Sequence, residues 1–116
     1  MFFHNNFGVR QFDSCYTLFM KFIWDRRKNE INIEKHSLNF ADAYKVFESP
    51  ILVGLDEREE YGEDRWIGVG LMENRVVVIV FTEPEEEIIR VISFRKTTTN
   101  ESKRYEQEFK NQFGSL

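Results

Sequence analysis

Three arginines stand in stretches whose alternation marks them as β-strand: Arg65 ahead of Ile67, Val69 and Leu71, and Arg90 and Arg95 within the run from residue 88 to 95. A guanidinium on a strand is costly to bury alone, so each needs a carboxylate from the chain or an anion from outside. Two readings follow. Glu63, Asp64, Glu83 or Glu101 can pair with the arginines, the ordinary fate of surface charges. Alternatively, the arginines form a face for phosphate, whose oxygens a guanidinium meets bidentately and whose developing charge it stabilises. Regular alternation groups Arg90 with Ile92 and Phe94, and Arg95 with Val91 and Ser93. Both reach one site only across a bulge, or if the strand ends near Phe94. Tyr105 reads as a core residue with a hydrogen-bonded hydroxyl, the alternative being that it stacks a base or donates a proton.

Other chemistries have no footing. His4 and His36 are the only histidines, no HExxH, CxxC or DxD-type spacing occurs, and no Gly-rich loop follows a strand. Neither a metal nor a nucleotide cofactor is therefore expected. His36 falls at a helix end, where capping or packing explains it. Cys15 is alone and cannot form an internal disulfide, so it reads as an incidental thiol. The net charge of −4 argues against a surface that binds nucleic acid throughout, so any RNA contact must be local. The charges are unevenly placed, with Glu83, Glu85, Glu86 and Glu87 ahead of Arg90, Arg95, Lys96, Lys103 and Arg104. A basic patch can coexist with a negative total. No apolar run reaches the ~18 residues of a membrane helix, and residues 1–19 lack the pattern of a signal peptide, so a cytoplasmic location is expected.

The elements that must position the arginines belong to one domain. At 116 residues, 41% of them hydrophobic and 12 of them Phe, the chain has room for one core. Residues 21–24 read as a short strand, and Asp25 caps a helix running to about Lys35. A second helix starts at Asn39 with Phe40, Ala43, Val46 and Phe47 on one face, and Ser49-Pro50 ends it. The period then shifts from helical to 2. Residues 51–56 and 65–72 are strands, Glu73-Asn74 is a hairpin turn, Val76–Phe81 is a strand buried on both faces, and residues 88–95 pair with it. Thr98 and Glu101 form a capping box for a last helix, on which Tyr105 and Phe109 stack. The order is β-α-α-β-β-β-β-α, an α+β chain with an antiparallel sheet of about four to five strands and three helices. Residues 1–19 show no clear period and read as an N-terminal extension to the domain at 20–116. Three readings stay open for it: not native, loosely attached, or packed down against the domain or a partner.

Together these residues resemble the BrnT-like toxins over roughly residues 20–109. The resemblance is carried by Phe22-Ile-Trp24-Asp25 with Lys28 and Asn32; Lys35-His36 followed by Phe40, Ala43 and Phe47; Asp64-Arg65 ahead of Ile67 and Gly70; Thr82-Glu83; and Arg90-Val-Ile-Ser93-Phe-Arg95-Lys96 with Thr98, Glu101 and Tyr105. It implies a RelE-like fold and a ribonuclease toxin of a type II toxin-antitoxin system, cleaving RNA without a metal and halting translation. It also implies a ribbon-helix-helix antitoxin as partner, with oligomers formed only through that antitoxin and no membrane association. By the same resemblance the RNA 2′-hydroxyl attacks the adjacent phosphorus, Arg65, Arg90 and Arg95 bind phosphate, Glu83 transfers protons, and Lys96 and Tyr105 contact the substrate. The chain departs from the family pattern at Phe81 and Pro84, where tyrosine and arginine are usual, and at Phe94, where a small residue is common.

A reading from another class stands beside this one: a toxin-like binding module that grips a protein partner and cleaves poorly. The acidic block from Glu83 to Glu87 suits a basic protein better than RNA, because like charges repel phosphate.

Overall fold

The computed structural model describes residues 8–10 and 19–113, without the side chains of residues 8–10, Phe109, Gln112 and Phe113. His4, Cys15 and most of the N-terminal extension lie outside the described residues, as does the expected Tyr105–Phe109 contact. The elements are β1 (Gly8–Arg10), β2 (Lys21–Trp24), α1 (Arg26–His36), a 3-10 helix (Phe40–Glu48), β3 (Ile51–Leu55), β4 (Trp66–Met72), β5 (Arg75–Glu85), β6 (Ile88–Lys96) and α2 (Thr99–Phe113). The strands form one six-stranded sheet in the order β1-β3-β4-β5-β6-β2.

The α+β class and the sequential meander β3-β4-β5-β6 are as the sequence predicts. Two edge strands modify the expected sheet. β2 lies parallel to β6, with Ile23 opposite Arg90 and Trp24 opposite Val91, and β1 adds an antiparallel edge on β3. The sheet is therefore mixed, and its sixth strand comes from within residues 1–19.

The second helix is a 3-10 helix where the sequence pattern suggested an α-helix. Its buried residues explain the pitch. Phe40, Ala43 and Val46 recur every third residue, and a helix of three residues per turn sets such positions one above the other. This helix packs closely on β4. A Cβ on Gly70 would lie 2.7 Å from Ile51 and 3.0 Å from Val46, so only glycine fits there without a shift. The β4–β5 hairpin turns at Glu73 and Asn74, both with positive φ of 49° and 66°, the backbone a two-residue turn of this hand requires. Lys45 Nζ of the 3-10 helix holds the Glu73 carboxylate at 2.7 Å.

The alternation of β5 feeds two cores. Val77, Ile79 and Phe81 join Phe40, Val46, Phe47, Ile89, Val91 and Phe94 beneath the 3-10 helix. Val78 and Val80 point to the other face, where they join Leu52, Ile67, Val69 and Tyr105 of α2. Each fully buried aliphatic or aromatic side chain contributes about 1.5–3 kcal/mol, so both faces of β5 stabilise the fold. The site lies on the α2 face.

Asp25 and Thr98 cap their helices as the sequence predicts. The Asp25 carboxylate accepts from the Lys28 amide at 2.9 Å, and the Thr98 hydroxyl accepts from the Glu101 amide while Glu101 accepts from the Thr98 amide at 2.8 Å. Buried Asn32 of α1 does what no pattern announced. Its amide nitrogen donates to the carbonyls of Leu38 and Phe94, and its oxygen accepts from the Phe94 amide at 3.1 Å. Because β2 pairs with β6 only as far as Val91, the backbone of Phe94 would otherwise have an open edge.

Candidate active site

Arg90 and Arg95 share a face of the sheet because β6 is bulged. Val80 pairs with Ser93 but Phe81 pairs with Val91, so Ile92 is an extra residue on β6. That one-residue shift reverses the alternation between the two arginines. Arg90 then lies opposite Thr82 and Arg95 opposite Val78, and both partners project on the α2 face with Val80. Sharing a face does not bring the arginines together. Five residues along a strand span about 16 Å, and the two guanidiniums have different partners.

At the α2 end, Arg95 meets Glu101 bidentately at 2.8 and 3.0 Å and also donates to the Lys96 carbonyl at 3.1 Å. The Arg95 guanidinium holds the Glu101 carboxyl below the usual carboxylate range, and the same carboxylate closes the helix cap at Thr98. Lys96 is exposed beside it. Tyr105 is 2% exposed and enclosed by the second core. A ring so enclosed has no face for a base, which corrects the expectation that it contacts substrate by stacking. Burial also pushes its phenol upward in pKa, away from proton donation near neutrality.

The other end is built differently. Trp66 pairs with Phe81, and that register continued by one residue sets Arg65 across from Thr82, with Arg90 on the far side. Arg65, the residue before β4, thus forms a row with Thr82 of β5 and Arg90 of β6. Arg65 and Arg90 line one pocket of about 400 Å³ with Asp25, Lys28, Glu63 and Trp24. The Arg90 guanidinium is held by both oxygens of Glu63. Arg65 lies over the Tyr61 ring at 4.1 Å, while its buried Nε has no hydrogen-bond partner among the described residues. Thr82 Oγ1 is likewise buried without a partner.

The loop that delivers Arg65 and Glu63 is organised by Asp56, a buried carboxylate. It accepts from Arg58 Nε and Nη2, each at 2.8 Å, and from the Tyr61 hydroxyl at 3.1 Å. The Arg58 hydrogen bonds hold it below the usual carboxylate range. Its amide donates to the Arg65 carbonyl at 2.7 Å, closing the base of the loop. Asp56 therefore fixes Tyr61, and Tyr61 carries Arg65.

Glu83 does not line the pocket shared by Arg65 and Arg90. It lines an adjoining one of about 390 Å³ with Glu63, Asp64, Trp66, Thr82 and Pro84. Glu63 stands in both. From sequence, Glu63 stands only as a structural partner for the arginines, and neither Thr82 nor Lys28 has a part in the site. Glu63 could have been found by its spacing two residues before Arg65, and Thr82 by its place after three valines at every second residue of β5. Among the described residues, no group of three or more His, Cys, Asp or Glu side chains is placed to hold a metal ion. No helix of the described residues is long and apolar enough to cross a membrane.

A family model described as the ribonuclease toxin, BrnT, of type II toxin-antitoxin systems matches residues 24–101. That span holds Arg65, Glu83, Arg90, Arg95 and Lys96, whereas Tyr105 falls beyond it. The crystal structure of the Brucella abortus ribonuclease toxin BrnT is similar to the chain with a TM-score of 0.54 and 28% sequence identity, covering 69% of this chain and 99% of that one. None of the curated proteins matches.

Proposed function

The chain belongs to the BrnT family of ribonuclease toxins of type II toxin-antitoxin systems, and on that premise we propose that it cleaves RNA without a metal at the Arg65–Arg90 end of the sheet. The observation that carries this reading is Arg65, which lines a pocket with Arg90 and Lys28 and whose buried Nε has no hydrogen-bond partner among the described residues. An unsatisfied buried donor costs about 1–3 kcal/mol, and a bound phosphate would remove that cost. In the reaction the 2′-oxygen bonds to phosphorus, the bond from phosphorus to the 5′-oxygen breaks, and the products are a 2′,3′-cyclic phosphate and a 5′-hydroxyl. Arg65 and Arg90 stabilise the charge on the five-coordinate phosphorus. Glu83, from the adjoining pocket, takes the 2′-hydroxyl proton, and the departing 5′-oxygen takes a proton from water. Arg95, farther along the same face, and the exposed Lys96 next to it at the strand end meet flanking phosphates of the RNA.

The partner of this reading is a ribbon-helix-helix antitoxin whose basic surface meets the acidic stretch at Glu83–Glu87. The toxin domain is residues 20–116, with residues 1–19 as an extension to it, and its place of action is the cytoplasm. Cleavage of a single-stranded RNA by the isolated chain, beside the Arg65→Ala, Arg90→Ala double variant, tests the activity. Cleavage by the parent alone supports it, and equal background from both overturns it.

The binding-module reading has its own observation: Arg90 and Arg95 are both held by carboxylates, Glu63 and Glu101. That reading expects antitoxin binding with no cleavage above background.

A further inference from the structure

Along the α2 face of β5 every second residue is valine, at positions 76, 78 and 80, until Thr82. Threonine and valine are nearly the same shape, so packing alone would be served by a fourth valine. The hydroxyl instead costs free energy, because Thr82 is 2% exposed and its Oγ1 has no partner among the described residues. It occurs at the one position of this face flanked by two arginines, Arg90 directly opposite on β6 and Arg65 on the β4 side.

We propose that Thr82 is a phosphate-binding residue of this site, its hydroxyl donating to a non-bridging oxygen of the phosphodiester that Arg65 and Arg90 grip. The assignment rests on the ribonuclease reading and adds a third donor to it. Glu63 shows how the group is admitted. Both of its carboxylate oxygens accept from one nitrogen of Arg90, Nη2, a nitrogen that a phosphate oxygen could take in their place, and it also borders the pocket that Thr82 lines. A phosphodiester that displaces Glu63 from Arg90 arrives beside Thr82 in the row, where the hydroxyl has no hydrogen-bond partner among the described residues, although Glu63, Asp64 and Glu83 line the same pocket as Thr82. Guanidiniums set the charge balance, and a neutral donor between them fixes which oxygen faces inward.

The test compares the full chain with Thr82→Val, Thr82→Ser and Arg65→Ala. It reads RNA cleavage, binding of a non-cleavable 2′-deoxy oligonucleotide, and thermal melting. Thr82→Val is expected to melt no lower than the parent, to lose about 10- to 100-fold in kcat/KM, the worth of one hydrogen bond to a charged group, and to bind the oligonucleotide more weakly. Thr82→Ser restores most of both. Replacing one non-bridging oxygen of the substrate by sulfur slows the parent for one diastereomer and adds nothing to Thr82→Val.

Unchanged cleavage and binding in Thr82→Val, with Arg65→Ala impaired, overturns the assignment and leaves the ribonuclease reading standing. A lower melting point with activity lost only in proportion to unfolding assigns Thr82 to the fold and overturns it as well. Absence of cleavage by the parent overturns the ribonuclease reading. In that case weaker oligonucleotide binding by Thr82→Val still supports the phosphate contact, and equal binding overturns it.

Discussion

The two ends of the α2 face hold the same residue types and differ in how completely they are satisfied. At Arg95 the guanidinium, the Glu101 carboxylate, the Thr98 amide and the Thr98 hydroxyl close on one another. At Arg65 and Arg90 a carboxylate serves one guanidinium, while Arg65 Nε and Thr82 Oγ1 are buried with no partner among the described residues. Buried polar groups in folded proteins are almost always paired. A closed network stabilises the chain by itself, and an open one marks where something from outside completes it. Position on a strand cannot separate these cases, since all three arginines alternate with apolar residues.

The comparison breaks most sharply in activity. Arg65→Ala and Arg90→Ala are each expected to lower kcat for RNA cleavage about 100- to 1000-fold, the usual effect of removing one preorganised donor to a developing anion, with melting little changed. Arg95→Ala lowers cleavage only a few-fold, because a flanking phosphate contact supplies binding and not transition-state charge. Equal loss from all three variants would erase the distinction between the ends.

Stability should show the opposite ranking. Glu101→Ala removes the cap and the Arg95 pair together, and chemical denaturation should find it about 1–2 kcal/mol less stable. Glu63→Ala, whose pair is more than a third exposed, should hardly move the midpoint. A Glu63→Ala variant as unstable as Glu101→Ala would show that the Arg90 end is also built for the fold.

The pH dependence sharpens the same point. Arg95 lowers the folded-state pKa of Glu101 below its ordinary 4.5. The pair's contribution is therefore whole above that value and is lost as pH falls from it through the folded-state pKa. Urea unfolding across pH 3 to 7 should show this loss in the parent and not in Glu101→Gln. The smallest effect is expected at the competitor. Glu63→Gln frees Arg90 of an anionic partner, so oligonucleotide affinity rises by roughly 2- to 5-fold, consistent with the modest strength of an exposed pair.

Much of this was legible in the chain before folding was considered. The caps at Asp25 and Thr98, the two-residue turn at Glu73-Asn74, the doubly buried strand through Val76–Phe81 and the three strand arginines all follow from local rules. A cap, a turn or an alternation depends on residues within a few positions of each other, and the sequence states those directly. What the tertiary structure decided is of another kind. The bulge at Ile92 turned Arg90 and Arg95 to one face, although the spacing had only indicated that some such device was needed. The parallel docking of β2 on β6 brought Asp25 and Lys28 to the arginine pocket, and burial removed Tyr105 from any contact with a base. The same packing placed Thr82 between two guanidiniums and left its hydroxyl without a partner. Each of these rests on strand register and on pairings between distant segments, where a shift of one residue reverses every side chain, and no local pattern in the sequence encodes that choice.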